Sequence, residues 1–299
     1  MGERFLHKPV LLQEVIHFLN PAPGETIIDA TIGGAGHAAK IMQMIGAAGT
    51  LIGIDRDSES LNIARERLKS LEGTFKLVNR NFKDIKSIVQ GLGTGKVDGI
   101  LFDLGISSIQ IEAGERGFSI KSAGPLDMRM DRGTQLTAGK LVNGLSEFEL
   151  SGLIKDFGEE RFHKRIAKGI VRAREEKEIR TTAQLAEIIS ASVPHKFRWQ
   201  RIHPATRTFQ ALRIRVNGEL EAIEEALKDA PELLKKGGRV CVISFHSLED
   251  RIAKTTLREF KVSGVCRVLT KKPVMAEEKE VLENPRARSA KLRAAERIT

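Results

Sequence analysis

Cysteine is scarce: the 299 residues contain two, Cys241 and Cys266, and neither lies in a C-x-x-C or H-E-x-x-H spacing. A secreted disulfide framework and a zinc-finger module are thereby excluded, and no metal site is expected. No apolar run approaches the roughly 18 residues that a membrane span requires. The opening Met-Gly-Glu-Arg-Phe-Leu lacks the apolar core of a signal peptide, and position 6 lacks the Ser or Thr of a myristoylation site. There is no internal repeat and no low-complexity tract. These absences point to a cytoplasmic globular chain. Its length suits one large domain or two ordinary ones, either able to bury a core without staples.

Positive charge is what the chain has in excess. Lys and Arg number 49 against 39 Asp and Glu, giving +10 and a pI near 9.7. Such a balance speaks to partners and solubility, and leaves polyanion binding and a merely basic surface both open. The excess is concentrated: residues 115–217 hold 20 Lys and Arg against 12 Asp and Glu, or +8. Within 195–215 six basic residues and no acidic ones interleave with Phe197, Trp199 and Phe209. Basic side chains fix a nucleic-acid backbone and aromatic faces stack extruded bases. Arg198, Trp199, Arg201, His203 and Arg207 are therefore candidate RNA contacts. The competing reading is a solvated basic helix face with Trp199 in the core.

Periodicity divides the chain. Val10 to Leu19 suits an opening amphipathic helix, stopped at Pro21-Ala-Pro-Gly24. Short apolar runs at 26–29, 50–55, 75–78 and 97–103 then alternate with helical stripes at 37–45, 61–71 and 85–92, the pattern of parallel βαβ units. From about 115 to 217 only helical stretches appear, including 147–157, 159–176 and 182–192. Afterwards the alternation resumes with a helix ending at Lys236-Gly-Gly238, a strand over 239–244, a helix over 248–260 and a last strand over 262–269. The expectation is an α/β, doubly wound Rossmann-like sheet formed by 1–114 and 218–299, with 115–217 as an inserted all-helical domain.

The strongest local signal is Asp29-Ala-Thr-Ile-Gly-Gly-Ala-Gly-His37, between the first strand and its helix. Glycines allow close backbone approach to a ligand, and the helix start offers free N–H groups. Asp55 ends the second strand, placed to accept ribose hydroxyls. Gly34-x-Gly36-x-x-Ala39 also fits a dinucleotide fingerprint. Three residues nevertheless separate Asp29 from the first glycine, and the fourth strand ends in Asp103-Leu-Gly-Ile-Ser-Ser108, acidic and rich in hydroxyls. The pattern favours S-adenosylmethionine, with a nicotinamide or flavin nucleotide and a purely structural glycine turn as alternatives. Phe82 is either a core aromatic or a flank for an adenine.

These residues also carry a family resemblance. His7-x-x-Val-Leu-Leu-x-Glu14, Asp29-x-Thr-x-Gly-x-x-Gly-His37, Gly53-Ile-Asp-Arg-Asp57 and Asp103-Leu-Gly-x-Ser-Ser108 occur in order. Arg116-Gly-Phe-Ser119, Gly124-Pro-Leu-Asp-Met-Arg-Met-Asp131, His203-Pro-Ala-Thr-Arg-Thr-Phe-Gln-Ala-Leu-Arg213 and Val216-Asn-x-Glu219 follow. Ser244-Phe-His-Ser-Leu-Glu-Asp-Arg251 and the tail Asn284-Pro-Arg-Ala-Arg-Ser-Ala-Lys-Leu-Arg293 complete the set. Nearly end to end, the chain resembles the bacterial 16S ribosomal RNA cytosine-N4 methyltransferases. The resemblance implies S-adenosylmethionine as cofactor and a cytidine in the decoding region of the small ribosomal subunit as substrate. By position it implies cofactor contacts at Gly34, Ala35, Gly36, His37, Asp55, Phe82, Asp103 and Gln110. Ala35 departs from a glycine of the family pattern, so the turn is expected to hold there only with a negative φ.

Transfer to cytosine N4 requires an acceptor for the amine N–H, because that nitrogen's lone pair is delocalised into the ring. Asp103 and Ser107 are the candidates. The Asp/Asn-Pro-Pro-aromatic loop of other amino-methyltransferases is absent. An adenine-N6 methyltransferase and a non-catalytic RNA-binding protein are the alternative functions; no membrane or DNA partner is expected. His246 and Glu249 could build a turn or touch substrate.

Overall fold

The computed structural model describes residues 8–107, 110–111, 113–120, 123–198 and 202–299. Trp199 and Arg201 lie outside them. The chain forms two compact units, one of residues up to Gly105 together with Leu220–Thr299, the other Ile106–Glu219. Ser107 and Gln110 thus belong to the second unit rather than to the segment 1–114 with which they were grouped from sequence.

In the first unit, α1 (Leu12–Leu19) precedes β1 (Thr26–Asp29), α2 (Gly36–Ile45), β2 (Thr50–Asp55), α3 (Ser58–Leu68), β3 (Thr74–Asn79), α4 (Ile85–Gly91) and β4 (Val97–Asp103). After the second unit come α10 (Glu219–Leu233), β5 (Leu234–Ser244), α11 (Ser247–Val262), β6 (Cys266–Val268), α12 (Glu278–Glu283) and β7 (Lys291–Arg297). The seven strands are ordered β3-β2-β1-β4-β5-β7-β6. The first five are parallel, and β7 runs antiparallel to both β5 and β6.

Two layers cover this sheet, as the near-continuous apolar strands require. Ile27, Leu51, Leu101, Cys241 and Ile243 share a core with α1, α2 and α3. The alternate residues Ile28, Ile52, Ile100, Val240 and Val242 share another with α4, α10 and α11. The order in which strands are added across the sheet reverses between the parallel neighbours β1 and β4, so the crevice at their carboxyl ends is the topological switch point, where open α/β sheets bind ligands.

Two sequence expectations need correction. The last strand was placed at 262–269, but Val262 ends α11 and β6 is only Cys266–Val268. The basic tail supplies β7, whose Leu292, Arg293, Ala294 and Ala295 are buried. Arg293 is accommodated because its Nε donates to Asp250 Oδ1 at 2.7 Å. In addition, β5 starts at Leu234, five residues early, with a register shift against β4 between Val97 and Gly99 that absorbs the two glycines.

The second unit packs α5 (Ala138–Gly144), α6 (Glu147–Gly158), α7 (His163–Glu176), α8 (Thr182–Ser192) and α9 (Thr206–Asn217) around Leu150, Ile154, Ile166, Ile170, Leu185 and Leu212. The loop before α5 is irregular yet pinned. Buried Arg116 donates to the carbonyls of Arg129 and Met130, and Asn217 accepts from Met130 N–H and donates to Met128 O. Gly117, at φ 72°, has no room for a Cβ, which would meet Pro125 O at 2.1 Å. The Arg116, Leu126–Asp131 and Asn217 motifs thus build this loop. Among the described residues no helix is long and apolar enough to cross a membrane.

Candidate active site

The crevice is assembled from strand ends. Asp29 closes β1, is 2% exposed, and accepts the Thr31 N–H at 3.2 Å. Thr31 turns back so that its Oγ1 accepts the Asp103 N–H at 2.6 Å, tying the β1 loop to the end of β4. Asp55 closes β2. Its Oδ2 accepts the Gly33 N–H at 3.0 Å and its Oδ1 the Asp57 N–H at 2.9 Å, so the carboxylate also shapes the glycine loop. Gly34 O accepts from Arg67 at 3.2 Å.

Ala35 takes φ 58° and ψ 36°, the left-handed region, contrary to the expected negative φ. An L-residue there is strained by about 1–2 kcal/mol. The surrounding bonds impose it: Ala35 N–H reaches back to Ile32 O at 2.7 Å, and Ala39 N–H closes onto Ala35 O at 3.0 Å. The N–H groups of Gly36, His37 and Ala38 precede that first intrahelical bond and so have no intrahelical acceptor, the usual anion-facing donors of a helix start.

His37 occupies the first turn of α2 and is buried. Its Nε2 lies 2.9 Å from Val10 O and its Nδ1 3.4 Å from Asp103 Oδ2. Carbonyl and carboxylate oxygens only accept, so this arrangement favours a proton on both ring nitrogens. Burial opposes that charge, but Asp103, Asp29 and the Val10 carbonyl outweigh it and hold the pKa above the ordinary value. Burial also pushes the Asp29 carboxyl up to about 7, with His37 pulling the other way, and Asp55 up to about 6. Asp103 Oδ1 is buried with no partner among the described residues. Phe82, in the turn after β3, is half-buried and meets Phe102 edge-on at 5.9 Å.

Asp29, Asp55 and Asp103 bring three carboxyl groups to the strand ends, with His37 beside Asp103 and the first-turn amides of α2 at the rim. That donor set fits the ribose hydroxyls and positive charges of S-adenosylmethionine. It suits a dinucleotide poorly, since the carboxylates would repel a pyrophosphate.

The remaining candidates separate. In the helical unit, Ser107 Oγ accepts the Gln110 N–H and Gln110 Oε1 accepts the Ser107 N–H, both at 3.2 Å. Arg198 is engaged in local structure: Nε donates to Val193 O at 2.8 Å and Nη2 to Ala191 O at 2.9 Å, closing the end of α8. His203 is exposed and its Nδ1 accepts the Ala205 N–H. Arg207 is also exposed, with one donor on Glu159 O. In the first unit, His246 and Glu249 form the capping box of α11. Sequence reasoning gave Asp29 and Thr31 no ligand-shaping role. Their place in the Asp29-x-Thr31 motif was the available signal.

A family model, the MraW methylase family, matches residues 4–298. Among curated proteins, the chain is 52% identical over 302 residues to a ribosomal RNA small subunit methyltransferase H of Acidobacterium capsulatum, covering 99% of each. It is 50% identical over 310 residues to the protein of that name from Geotalea daltonii, covering 98% of this chain and 99% of the relative. Among solved structures, an rRNA methylase from Streptococcus thermophilus aligns over 100% of this chain and 99% of its own, with 10% identity and a TM-score of 0.44. With a switch-point crevice built for a nucleoside cation, and a match that spans both units, the chain belongs to the MraW methylase family.

Proposed function

We propose that this methylase transfers a methyl group from S-adenosylmethionine to the N4 amine of a cytidine in small-subunit 16S ribosomal RNA, acting on a ribosomal particle in the cytoplasm. The observation that carries the reading is the unpartnered Asp103 Oδ1 beside the buried His37 ring, at the switch point of a methylase sheet. Curated relatives of about 50% identity that bear the small-subunit name support the substrate.

When bound, the cofactor supplies an electrophilic sulfonium methyl. The residues then have separable tasks. Asp55 offers its remaining lone pairs to ribose hydroxyls, and the first-turn amides of α2 meet acceptor groups. Phe82 supplies an apolar face for a base. Asp103, oriented by His37 Nδ1 and the Thr31 hydroxyl, presents Oδ1 as an acceptor in a site depleted of water. An acceptor there stabilises positive charge on the cofactor and can accept an N–H of the substrate amine, withdrawing charge from the nitrogen as it is alkylated. The Ser107 hydroxyl is the second candidate acceptor. No dedicated base is required, because a methylated arylammonium releases its proton to water. The +8 helical segment supplies phosphate-neutralising charge far beyond the needs of one nucleotide.

The test is mass analysis of nucleosides from small subunits incubated with the protein and labelled S-adenosylmethionine. N4-methylcytidine is expected on particles and little turnover on free cytidine. Label on adenine, on cytosine C5 or on DNA would overturn the assignment.

A further inference from the structure

Helix α7, in the second unit, violates the rules that its neighbours obey. α6 opens with a Ser146–Glu149 capping box, carries Glu147 and Glu149 in its first turn and ends near Lys155. α8 opens with a Thr181–Gln184 box. α7 starts at Phe162 with no side-chain cap and no acid in its first turn. Lys164 and Arg165 occupy that turn instead, where positive charge opposes the helix dipole; the last turn is mixed, with Arg174 beside Glu175 and Glu176. Lys164, Arg165, Lys168 and Arg172 are all exposed at spacings of three and four, one face of the helix, and exposed Arg161 lies just before its cap. Within that face Lys164–Lys168 and Lys168–Arg172 are like-charge pairs four apart, each unfavourable. None of the five forms an ion pair among the described residues.

The Glu160 carboxylate accepts the Phe162 N–H at the helix start, but the four cations of the face keep their repulsion without an ion pair, the signature of a surface that meets a partner. We propose that this face of α7 binds the ribose–phosphate backbone of the substrate RNA; the inference rests on the function proposed above and adds a contact surface outside 195–215. An array of phosphates turns every one of these repulsions into attraction. From Lys164 to Arg172 the stripe runs about 12 Å along the helix at about 1.5 Å per residue, enough for consecutive phosphates. RNA fits better than an acidic protein surface because the stripe leads into aromatic rings. The Arg161 guanidinium lies 4.5 Å from the Phe162 ring centroid and 3.8 Å from that of Phe197, with Lys196 at 5.1 Å from Phe197. Its face is stacked while its in-plane N–H donors remain for acceptors, an arrangement that suits bases and phosphates.

The experiment replaces Lys164, Arg165, Lys168 and Arg172 by Gln together in the full chain. Four measurements are made: thermal midpoint, S-adenosylmethionine affinity by calorimetry, and KM and kcat on small subunits across a salt series. Removing mutually repelling cations is expected to leave the midpoint unchanged or raise it, with cofactor affinity unaltered. KM is expected to rise about tenfold or more at low salt with kcat nearly constant. The log–log salt slope should shrink by about 3, from about 0.7 per phosphate contact. The double variant Lys168→Gln, Arg172→Gln should lose about half that slope, and tests the proposal independently if the fourfold variant folds poorly. A folded variant with wild-type KM and slope overturns the proposal. So does a loss confined to intact particles with unchanged binding to the protein-free RNA, which would assign the face to an acidic ribosomal protein. Wild-type protein that marks no small-subunit cytidine overturns the function itself, a result distinct from either.

Discussion

Replacing Asp29 by asparagine probes the electrostatics of the crevice most directly. Burial pushes this carboxyl up to about 7 in the folded protein, against an ordinary value of 3.8. Between about pH 4 and 7 the folded state therefore keeps a proton that the unfolded state has released. Stability from this source is fully present below about pH 4 and is lost as pH rises through about 7, the reverse of a salt-bridged aspartate. Over the two decades between pH 5 and 7 the loss is about 3 kcal/mol, at about 1.4 kcal/mol per decade. Asp29→Asn abolishes the titration while keeping an oxygen for the Thr31 N–H. Urea unfolding of both proteins at pH 5 and pH 8 gives the double difference. The variant is expected to lose about 3 kcal/mol less than wild type across that interval. The His37 ring, followed by NMR in the unliganded protein, should titrate at lower pH in the variant, because the Asp29 charge helps raise its pKa. Equal losses in the two proteins, or an unmoved His37 titration, would refute a buried, high-pKa Asp29 coupled to that imidazole.

Asp55→Ala should weaken S-adenosylmethionine binding by about 1.5–3 kcal/mol, one to two decades by calorimetry; unchanged affinity in a folded variant removes Asp55 from the site. Asn217→Ala should destabilise the helical unit by about 1–3 kcal/mol, by stranding Met130 N–H and Met128 O. Denaturant melts read this, and an unshifted transition would show that the loop before α5 is held by other contacts. Cys241 is fully buried with its thiol pushed up to about 12, so iodoacetamide at pH 8 should leave it unmodified until the protein is unfolded.

Strands buried on both faces write themselves plainly into sequence, which is why β1, β2, β4 and the centre of β5 were legible as apolar runs. β7 was not. Lys-Leu-Arg-Ala-Ala-Glu-Arg has the composition of a basic tail, and its charges become tolerable in a sheet only through remote partners. Arg293 meets Asp250, and Glu296 meets Arg239 and Arg267. Strand propensity depends on such non-local neighbours, and no local window contains them. The site divided in the same way. Asp55 and Asp103 stood out as carboxylates ending apolar runs, whereas the raised pKa of His37 follows from where Val10, Asp29 and Asp103 lie in space. For the basic stretch, composition could not distinguish an arginine that closes a helix end, as Arg198 does, from one left unpaired. Arg165 and Lys168 sat unremarked in a helix with no aromatic signature of its own.

The strand order also has a temporal meaning. β6 pairs only with β7, and β7 lies between β5 and β6 although its residues are made last. Until Lys291–Arg297 has been synthesised, β5 presents an open edge and β6 has nothing to pair with. At about 5–20 residues per second, the 29 residues from Val268 to Arg297 take roughly 1.5–6 s to add. During that interval β3-β2-β1-β4-β5 can be laid down in full while its growing edge stays exposed. Completion of this methylase sheet is therefore coupled to the synthesis of β7, the last of its strands in the chain. Variants that slow the docking of β7 would be seen first as aggregation during synthesis, before any loss of stability in the finished protein.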